Sequence, residues 1–255
     1  MLYAWSEGKT MNGDRNGYWF SGGVAIAIGL VLSSAIFGWF FATTKRSDEA
    51  ITVTGSARKR IKSDLVVWTA AVTYQAPKVA DAYRSLSESV PRVKQYLIGK
   101  GIAEDQITIS SITTTSLKRT DTNGGETSEI TGYSLKQQLE VRSNDVDKIA
   151  RIAREATELI NQEIMIESNA PQFYYTQLGD LKIEMLGDAA KDAKTRAERI
   201  AASTGDKVGN VRSAKMGVLQ ITAADSTEVS DTGISDTSSI DKDITAVVNI
   251  SFAVD

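Results

Sequence analysis

"DLVVWTAAVTY", residues 64–74, is the stretch that decides the fold, because both of its faces are apolar. A strand with one face in water alternates apolar and polar residues, whereas a strand covered on both faces is apolar throughout. The segment therefore predicts a central strand, and Trp68 is predicted to be one of its core residues.

The residues that follow predict a helix and then two strands. Apolar residues recur at spacings of three and four in the helix, and Pro91 predicts either a kink or two abutting helices. They are Val79, Tyr83, Leu86, Val90, Val93 and Leu97. β-Branched residues predict a strand over 106–117, and a turn at 123–125 leads to an alternating strand over 133–142.

A second helix and a further strand complete this pattern. The stripe from Val146 to Ile160 predicts the helix, with Ser143 or Asn144 as its cap. Residues 163–168 start a strand that resumes at 173–175. The order strand, helix, strand, strand, helix, strand is the ferredoxin-like arrangement of two β-α-β units joined by a hairpin. The sequence therefore predicts an α+β fold.

Three more elements are predicted beyond the ferredoxin-like unit, and one before it. A short strand over 51–55 precedes the unit, and strands over 207–216 and 245–254 follow it. A third long helix at about 178–203 buries Leu181, Met185, Ala189, Ala193, Ala197 and Ile200. The polar, acidic insert 224–243 is expected to be mobile.

Composition excludes several kinds of function. The chain has 255 residues, a net charge of −3, no cysteine and no histidine. The absence of a concentrated basic surface argues against a nucleic-acid partner. Thiol nucleophiles, the usual zinc and haem ligands, and histidine acid–base chemistry are all excluded. We therefore expect no cofactor and no bound metal.

An apolar run at the N-terminus predicts a membrane anchor. Residues 19–44 carry no charge, have aromatic residues at both ends, and are followed by Lys45 and Arg46. A cleaved signal peptide and a buried core helix are the alternatives, but the run is long, lacks a polar face and has a poor cleavage site. We expect a polar tail at 1–18, a transmembrane helix at 19–44 and a linker at 45–50. Met1 and Met11 both remain possible start residues.

Two groups of residues are candidate contact sites near the membrane. Ala25, Gly29 and Ser33 recur every four residues, a small-residue stripe that allows close helix contact. The alternative is that small residues are simply common in such helices. Arg58, Lys59, Arg60 and Lys62 either contact anionic headgroups or form a solvated turn between the first two strands.

Two sets of residues could be taken for chemical sites, but both favour simpler interpretations. The acidic insert places Asp225, Glu228, Asp231, Asp236, Asp241 and Asp243 within 20 residues of each other. Their spacing fits no EF-hand, so a solvated loop is favoured over a cation site. Ser110 and Ser111 near lysines could form a Ser/Lys dyad, but serines on such a strand usually face solvent. No catalytic residue is predicted.

Four segments of the predicted domain follow one another along the chain in an order that is typical of a known family. They are "ITVTGSARKRIKSDLVVWTAAVTY", "GIAEDQITIS", "GYSLKQQLEV" and "AKDAKTRAERIAASTGDKVGNV". In this order they resemble the SIMPL-domain family, bacterial periplasmic immunogenic or oxidative-stress-defence proteins, over about residues 51–255. The chain departs from the family pattern at Lys62–Ser63, where proline usually precedes the strand, and in its acidic insert.

The resemblance implies an extracytoplasmic domain without established enzymatic activity, and some members build ring-shaped homo-oligomers. We therefore expect a single-pass protein of the bacterial inner membrane, with its domain in the periplasm, that assembles with copies of itself as a scaffold or in envelope stress. A regulatory or ligand-binding accessory subunit of another membrane protein is the alternative. A serine or carboxylate hydrolase is a weaker one.

Overall fold

The computed structural model describes residues 26–40, 49–122 and 124–254. Residues 26–40 are helical, and we label this helix α1. The tail 1–18, both ends of the predicted 19–44 span, most of the 45–50 linker and Asn123 of the predicted turn lie outside the described residues. Within the described ranges, no helix is long and apolar enough to cross a membrane.

Beyond α1, the described residues contain three α-helices and ten strands. The helices are α2 (Val79–Gly99), α3 (Val146–Glu155) and α4 (Leu178–Thr204). The strands are β1 (Ala50–Lys62), β2 (Leu65–Ala76), β3 (Ile107–Ile109), β4 (Thr113–Thr120), β5 (Glu126–Ser143), β6 (Ile166–Ser168), β7 (Gln172–Tyr174), β8 (Val208–Met216), β9 (Gln220–Ala223) and β10 (Asp241–Val254). The predicted α+β class is confirmed.

A six-stranded antiparallel sheet contains the strand that was predicted to be central. Its order is β3-β5-β2-β6, with β4 also paired to β5 and β7 to β2. Strand β2 pairs with β5 from Val66 to Ala76, and with β6 and β7 on its other edge. The first strand of the unit therefore lies between the third and the last, which is the strand order of the predicted ferredoxin-like arrangement.

The main core lies between this sheet and helices α2 and α3. Trp68 is fully buried, and its indole N–H donates to Ser168 Oγ at 3.1 Å. Leu86 and Leu97 of α2 and Ile149 and Ile152 of α3 are also buried in the same cluster. Burying each such side chain contributes about 1.5–3 kcal/mol before the entropic cost of ordering it. The prediction that Trp68 is a core residue is confirmed.

Strands β1, β8, β9 and β10 form a second sheet. Its order is β1-β10-β8, with β9 paired to β10. Gly55 of β1 lies against α4, because a Cβ atom placed there would come within 2.5 Å of the Ala193 amide nitrogen and closer still to the Ala189 carbonyl oxygen. The small alanines of α4 and a glycine in β1 therefore allow the helix and the strand to approach backbone to backbone.

The chain divides into two compact units by its contacts. One unit comprises residues 1–52, 197–213 and 251–255, and the other comprises 53–196 and 214–250. The six-stranded sheet, its core and all the candidate sites described below except α1 belong to the second unit. The single domain predicted from 51 to 255 stays a prediction.

Several element boundaries differ from the predictions. Strand β1 extends to Lys62, so residues 57–62 are not a turn, and the predicted strand 106–117 is two strands, β3 and β4. Helix α2 continues through Pro91 as one helix, so two abutting helices are excluded. Strand β9 was not predicted, because four residues are too short to show a period.

Two details of the helices also differ from prediction. Helix α3 gives way at Ala156 to a 3-10 segment that ends at Gln162, and its cap is Asp145 rather than Ser143 or Asn144. The Asp145 carboxylate accepts from the Lys148 amide at 3.2 Å. In α4 the buried stripe continues from Ala197 to Ala201, and Ile200 is exposed, because the spacing of four persists to the end of the helix.

The hairpin of β4 and β5 extends beyond the core as a two-stranded arm. None of the described residues 113–122 and 124–131 is buried, so neither face of the arm is covered. Cross-strand ion pairs join Lys118 to Glu126 and Arg119 to Glu129. Such exposed pairs contribute between zero and about 1 kcal/mol each, and an isolated two-stranded ribbon is marginally stable.

Candidate functional site

A groove of about 800 Å³ lies at the edge of the six-stranded sheet. This volume lies within the range of about 300–1,000 Å³ that is typical of ligand sites. The groove is lined by Thr73, Tyr74 and Gln75 of β2, Lys136 of β5, and Ile160, Met165, Ile166 and Glu167. All of these residues belong to the second unit.

The groove exists because β2 is longer than the strand beside it. Pairing with β6 ends at Val72 and Ile166, and one further bond joins the Thr73 amide to the Met165 carbonyl at 3.2 Å. Strand β2 nevertheless continues to Ala76. Because Glu163 has a φ of 63°, the chain turns sharply just before β6. The end of β2 is therefore left as an open edge.

The walls of the groove combine apolar and polar side chains. Ile160 and Met165 are 53% and 62% exposed, which is high for large apolar residues. The Tyr74 hydroxyl is hydrogen-bonded to Ser89 Oγ at 2.8 Å and donates to the Glu163 carbonyl at 3.1 Å. Tyr74 is thereby fixed in place and also holds the turn at Glu163.

A salt bridge crosses the outer face of β2 beside the groove. Lys136 Nζ of β5 lies 3.1 Å from Glu167 Oε2 of β6, and these strands are on opposite sides of β2. The residue of β2 opposite Glu167 is Ala71, whose small side chain allows the two long side chains to meet above it. The pair leaves this side of the groove polar but close to neutral.

The basic residues predicted to contact headgroups are paired with carboxylates of the same chain. Lys59 contacts Glu184 of α4 at 2.7 Å, and Lys62 contacts Asp147 of α3 at 2.7 Å. Arg60 contacts both Asp243 and Asp225. The hydrogen bonds that Lys59 and Lys62 donate to Glu184 and Asp147 raise the pKa values of both lysines. The interpretation as a turn is wrong, and headgroup contact stays a prediction.

Asp243 is the centre of this ion-pair cluster. Its buried carboxylate accepts from Arg60 Nε and Nη2, each at 3.0 Å, from the Asp225 amide at 2.9 Å, and from Arg58. The Arg60 hydrogen bond, followed by that of the Asp225 amide, holds the pKa of Asp243 far below its usual range. Asp243 therefore joins the basic strand β1 to the acidic insert.

A second ion pair, between Lys242 and Asp236, is more deeply buried and lies in the C-terminal half of the insert. Lys242 is 1% exposed, and its Nζ donates to the main-chain carbonyl of Asp236 at 2.7 Å and to its carboxylate at 3.1 Å. Ser238 and Ser239 also donate to this carboxylate. Burial alone would raise the pKa of Asp236, but the hydrogen bonds from Ser238, Lys242 and Ser239 hold it well below its usual range.

Three carboxylates of the insert, those of Asp225, Asp236 and Asp243, thus serve as partners for cations of this chain. Within the described residues, no three acidic side chains come together to hold a metal ion. Ser110 Oγ donates to the carbonyl of Ser111 and accepts from the Gln138 amide, so it is part of the strand edge. The mobility expected for residues 224–243 stays a prediction, although both of its ends are bound by these pairs.

The small-residue stripe is described only in part. Ala25 lies outside the described residues, whereas Gly29 and Ser33 lie on α1, where every described residue is exposed. Nothing lies within 4 Å of a Cβ placed at Gly29. Self-association of this helix stays a prediction.

Neither the groove nor the Asp243 cluster was predicted from the sequence. The groove depends on where β6 stops relative to β2, and no periodicity encodes that difference in length. Asp243 was grouped with the acidic insert, but it belongs to β10, in which Lys242, Asp243 and Ile244 are buried one after another before the alternation begins. The alternation of β10 therefore gave no signal for Asp243.

Comparison with protein families confirms the resemblance. Residues 51–252 match the family SIMPL, described as a protein of unknown function (DUF541). The match covers most of the chain, so the protein belongs to the SIMPL family. No match was found among curated proteins.

Proposed function

We propose that this SIMPL protein is a non-enzymatic envelope protein, anchored in the inner membrane, whose periplasmic domain assembles into a large homo-oligomer with a scaffolding or stress-protective role. The observation that carries the proposal is the β4–β5 arm. It is exposed on both faces and carries a large exposed apolar residue, Ile130.

A second copy of the chain is the natural partner for such an arm. Two strands without a packed face gain little stability by themselves, whereas contact with a neighbouring subunit would bury apolar surface on both sides. An arm that contacts a different surface of the next copy makes a head-to-tail interface. Such interfaces close into rings when the rotation between subunits permits.

Membrane anchoring is supported by the charge-free run 19–44. A helix of that length is about 39 Å long at 1.5 Å per residue, which exceeds a hydrocarbon core of about 30 Å. Its described part, 26–40, is helical, and its large apolar side chains, among them Leu30 and Phe37, are exposed. Exposed apolar residues all round a helix are what a lipid environment requires.

The anchor is tested by fractionation of cells that express the full chain. We expect the protein to remain in the membrane pellet after extraction with alkaline carbonate, and its domain to be digested by protease added to spheroplasts. Release of the intact chain by carbonate would contradict the anchor. Protection of the domain in intact spheroplasts, with digestion only after lysis, would contradict the orientation.

The contribution of the arm is tested by the substitution Ile130→Glu in the full chain. Placing a charge on the apolar contact of the arm is expected to shift a large assembly to smaller species, measured by light scattering of the protein in detergent. The matched control is Val229→Glu, which places the same charge at an exposed apolar residue of the acidic insert. An assembly unchanged by Ile130→Glu, or disrupted equally by the control, would contradict a role for the arm.

An accessory subunit that binds a ligand is the second candidate, and the groove beside β2 favours it. Its volume and its mixed apolar and polar walls are those of a binding site. No contact among the described residues favours the hydrolase interpretation.

A further inference from the structure

We propose that the groove beside β2 binds an extended polypeptide segment, which adds to the sheet as a strand along Gln75. This inference assigns a class of ligand to the groove, and it holds whether or not the chain self-assembles. It rests on the main-chain geometry of β2, on the exposed apolar residues of the walls and on the charge of the groove.

The main chain of β2 offers an unpaired edge in the groove. On this side of the strand, the Thr69 carbonyl accepts from the Asn169 amide at 3.1 Å and the Thr73 amide donates to Met165. Because the N–H and C=O groups of alternate residues in an antiparallel strand point to the same side, those of Gln75 also point there. Among the described residues, no backbone group pairs with Gln75 on this side.

The chain itself does not close this edge. Continuing β6 backward from Ile166 would place residues 162–164 beside Gln75. The positive φ of Glu163 turns the chain away instead, and the Tyr74 hydroxyl holds the Glu163 carbonyl in that position. The position beside Gln75, in line with β6, is therefore open to an incoming strand, and the turn at Glu163 that borders it is held in place.

The side chains of the groove match the alternation of a strand. A bound strand directs successive side chains to opposite faces of the sheet. Ile160 and Met165 offer exposed apolar surface for one set of these side chains. The groove thus combines main-chain hydrogen bonds, which are independent of sequence, with apolar contacts that select among side chains, as in other cases of strand addition.

The charge of the groove argues for an uncharged segment. Lys136 and Glu167 neutralise each other at 3.1 Å. A small anion or cation would have to break this pair, whereas an uncharged strand leaves it intact. The ligand class is therefore an extended segment that alternates apolar and uncharged polar residues.

The experiment uses the full chain in detergent and a capped hexapeptide of alternating valine and threonine that carries a fluorescent label. Binding is measured by fluorescence anisotropy, and protection of the main chain is measured by hydrogen exchange with mass spectrometry. Two control peptides have the same side chains as the first. In each of them every second main-chain nitrogen is methylated, so that one edge of the extended peptide can no longer donate hydrogen bonds. The two control peptides differ in which edge is methylated.

The expected result is binding with amide protection confined to the segment that includes Gln75. Methylation of one edge is expected to weaken binding about tenfold, because the hydrogen bonds of that edge are lost. Methylation of the other edge is expected to have a small effect. This asymmetry distinguishes strand addition from general hydrophobic contact and needs no protein variant.

Two substitutions test the residue itself. Gln75→Pro removes the amide that points into the groove and leaves the pairing with β5 unchanged, and it is expected to weaken binding about tenfold. Gln75→Ala retains the amide and is expected to bind within about twofold of wild type. No binding at about 1 mM peptide, equal binding of all the peptides, or protection elsewhere in the chain would overturn the proposal. None of these results depends on the oligomeric state, which is measured separately.

Discussion

Replacing Gly55 with alanine is expected to lower the free energy of unfolding by about 3 kcal/mol. The added Cβ would come within 2.6 Å of Ala193 Cβ and would overlap main-chain atoms of both Ala189 and Ala193 in α4. Main-chain atoms cannot move aside as a flexible side chain does, so β1 and α4 must separate. Denaturation of the full chain in detergent, followed by circular dichroism, measures the effect.

The matched control is Gly187→Ala, which adds the same methyl group to α4 at a position with nothing within 4 Å. Alanine is favoured over glycine inside a helix by about 1 kcal/mol, so this variant is expected to be as stable as wild type or more stable. Equal stability of Gly55→Ala and wild type would show that β1 and α4 do not approach so closely.

Replacing Asp236 with alanine is expected to destabilise the fold by about 3 kcal/mol or more. The substitution leaves the ammonium of Lys242, which is 1% exposed, without its carboxylate partner. Lys242→Met removes the other partner of the pair. It is expected to lower the free energy of unfolding by about 2 kcal/mol less than Asp236→Ala does, because Ser238 and Ser239 continue to donate to the Asp236 carboxylate.

Combining the two substitutions is expected to restore part of the stability that Asp236→Ala loses, because the double variant contains no unpaired buried charge. Asp231→Ala serves as the control, since this exposed aspartate of the same insert should change stability by less than about 0.5 kcal/mol. Equal losses of unfolding free energy in Asp236→Ala and Lys242→Met would contradict the expectation that an unpaired Lys242 is more destabilising than an unpaired Asp236. The unfolding curves of the wild type and the four variants are measured under one set of conditions.

The elements with a long and regular period could be predicted from the sequence. Strand β2 is central as predicted, with strands on both edges, and Trp68, Ala70 and Val72 are buried on the face that packs against the helices. Its other face is only partly covered, because Val67, Thr69 and Thr73 are half-buried there. The stripe of α4 follows a spacing of four from Leu181 to Ala201. In α4 local pattern and tertiary burial agree, which is why that prediction holds, whereas the second face of β2 is less buried than its apolar residues predicted.

Features that depend on distant residues could not be predicted in the same way. The basic run at 57–62 resembles a turn or a surface patch, but it is part of strand β1, which pairs with the distant β10, and its cations meet carboxylates far along the chain. Arg60 and Asp243 are separated by 183 positions in sequence, and no local pattern indicates that pair. The groove likewise results from a difference between two strands rather than from a motif.

The pairing of the basic run also affects the possible role of this surface. Arg58 and Arg60 already contact Asp243, and Lys59 and Lys62 each have a carboxylate partner. Contact with anionic headgroups would require these cations to share or exchange those partners. We therefore expect the proposed anchor, rather than this strand, to contribute most of the affinity for the membrane.

Self-assembly is the central claim, and the mass of the full chain tests it most directly. The chain is extracted in mild detergent and examined at micromolar concentration by size exclusion with light scattering, which separates the protein mass from that of the detergent. The proposal predicts one discrete species of many copies that persists on dilution. A single species with the mass of one chain would contradict it.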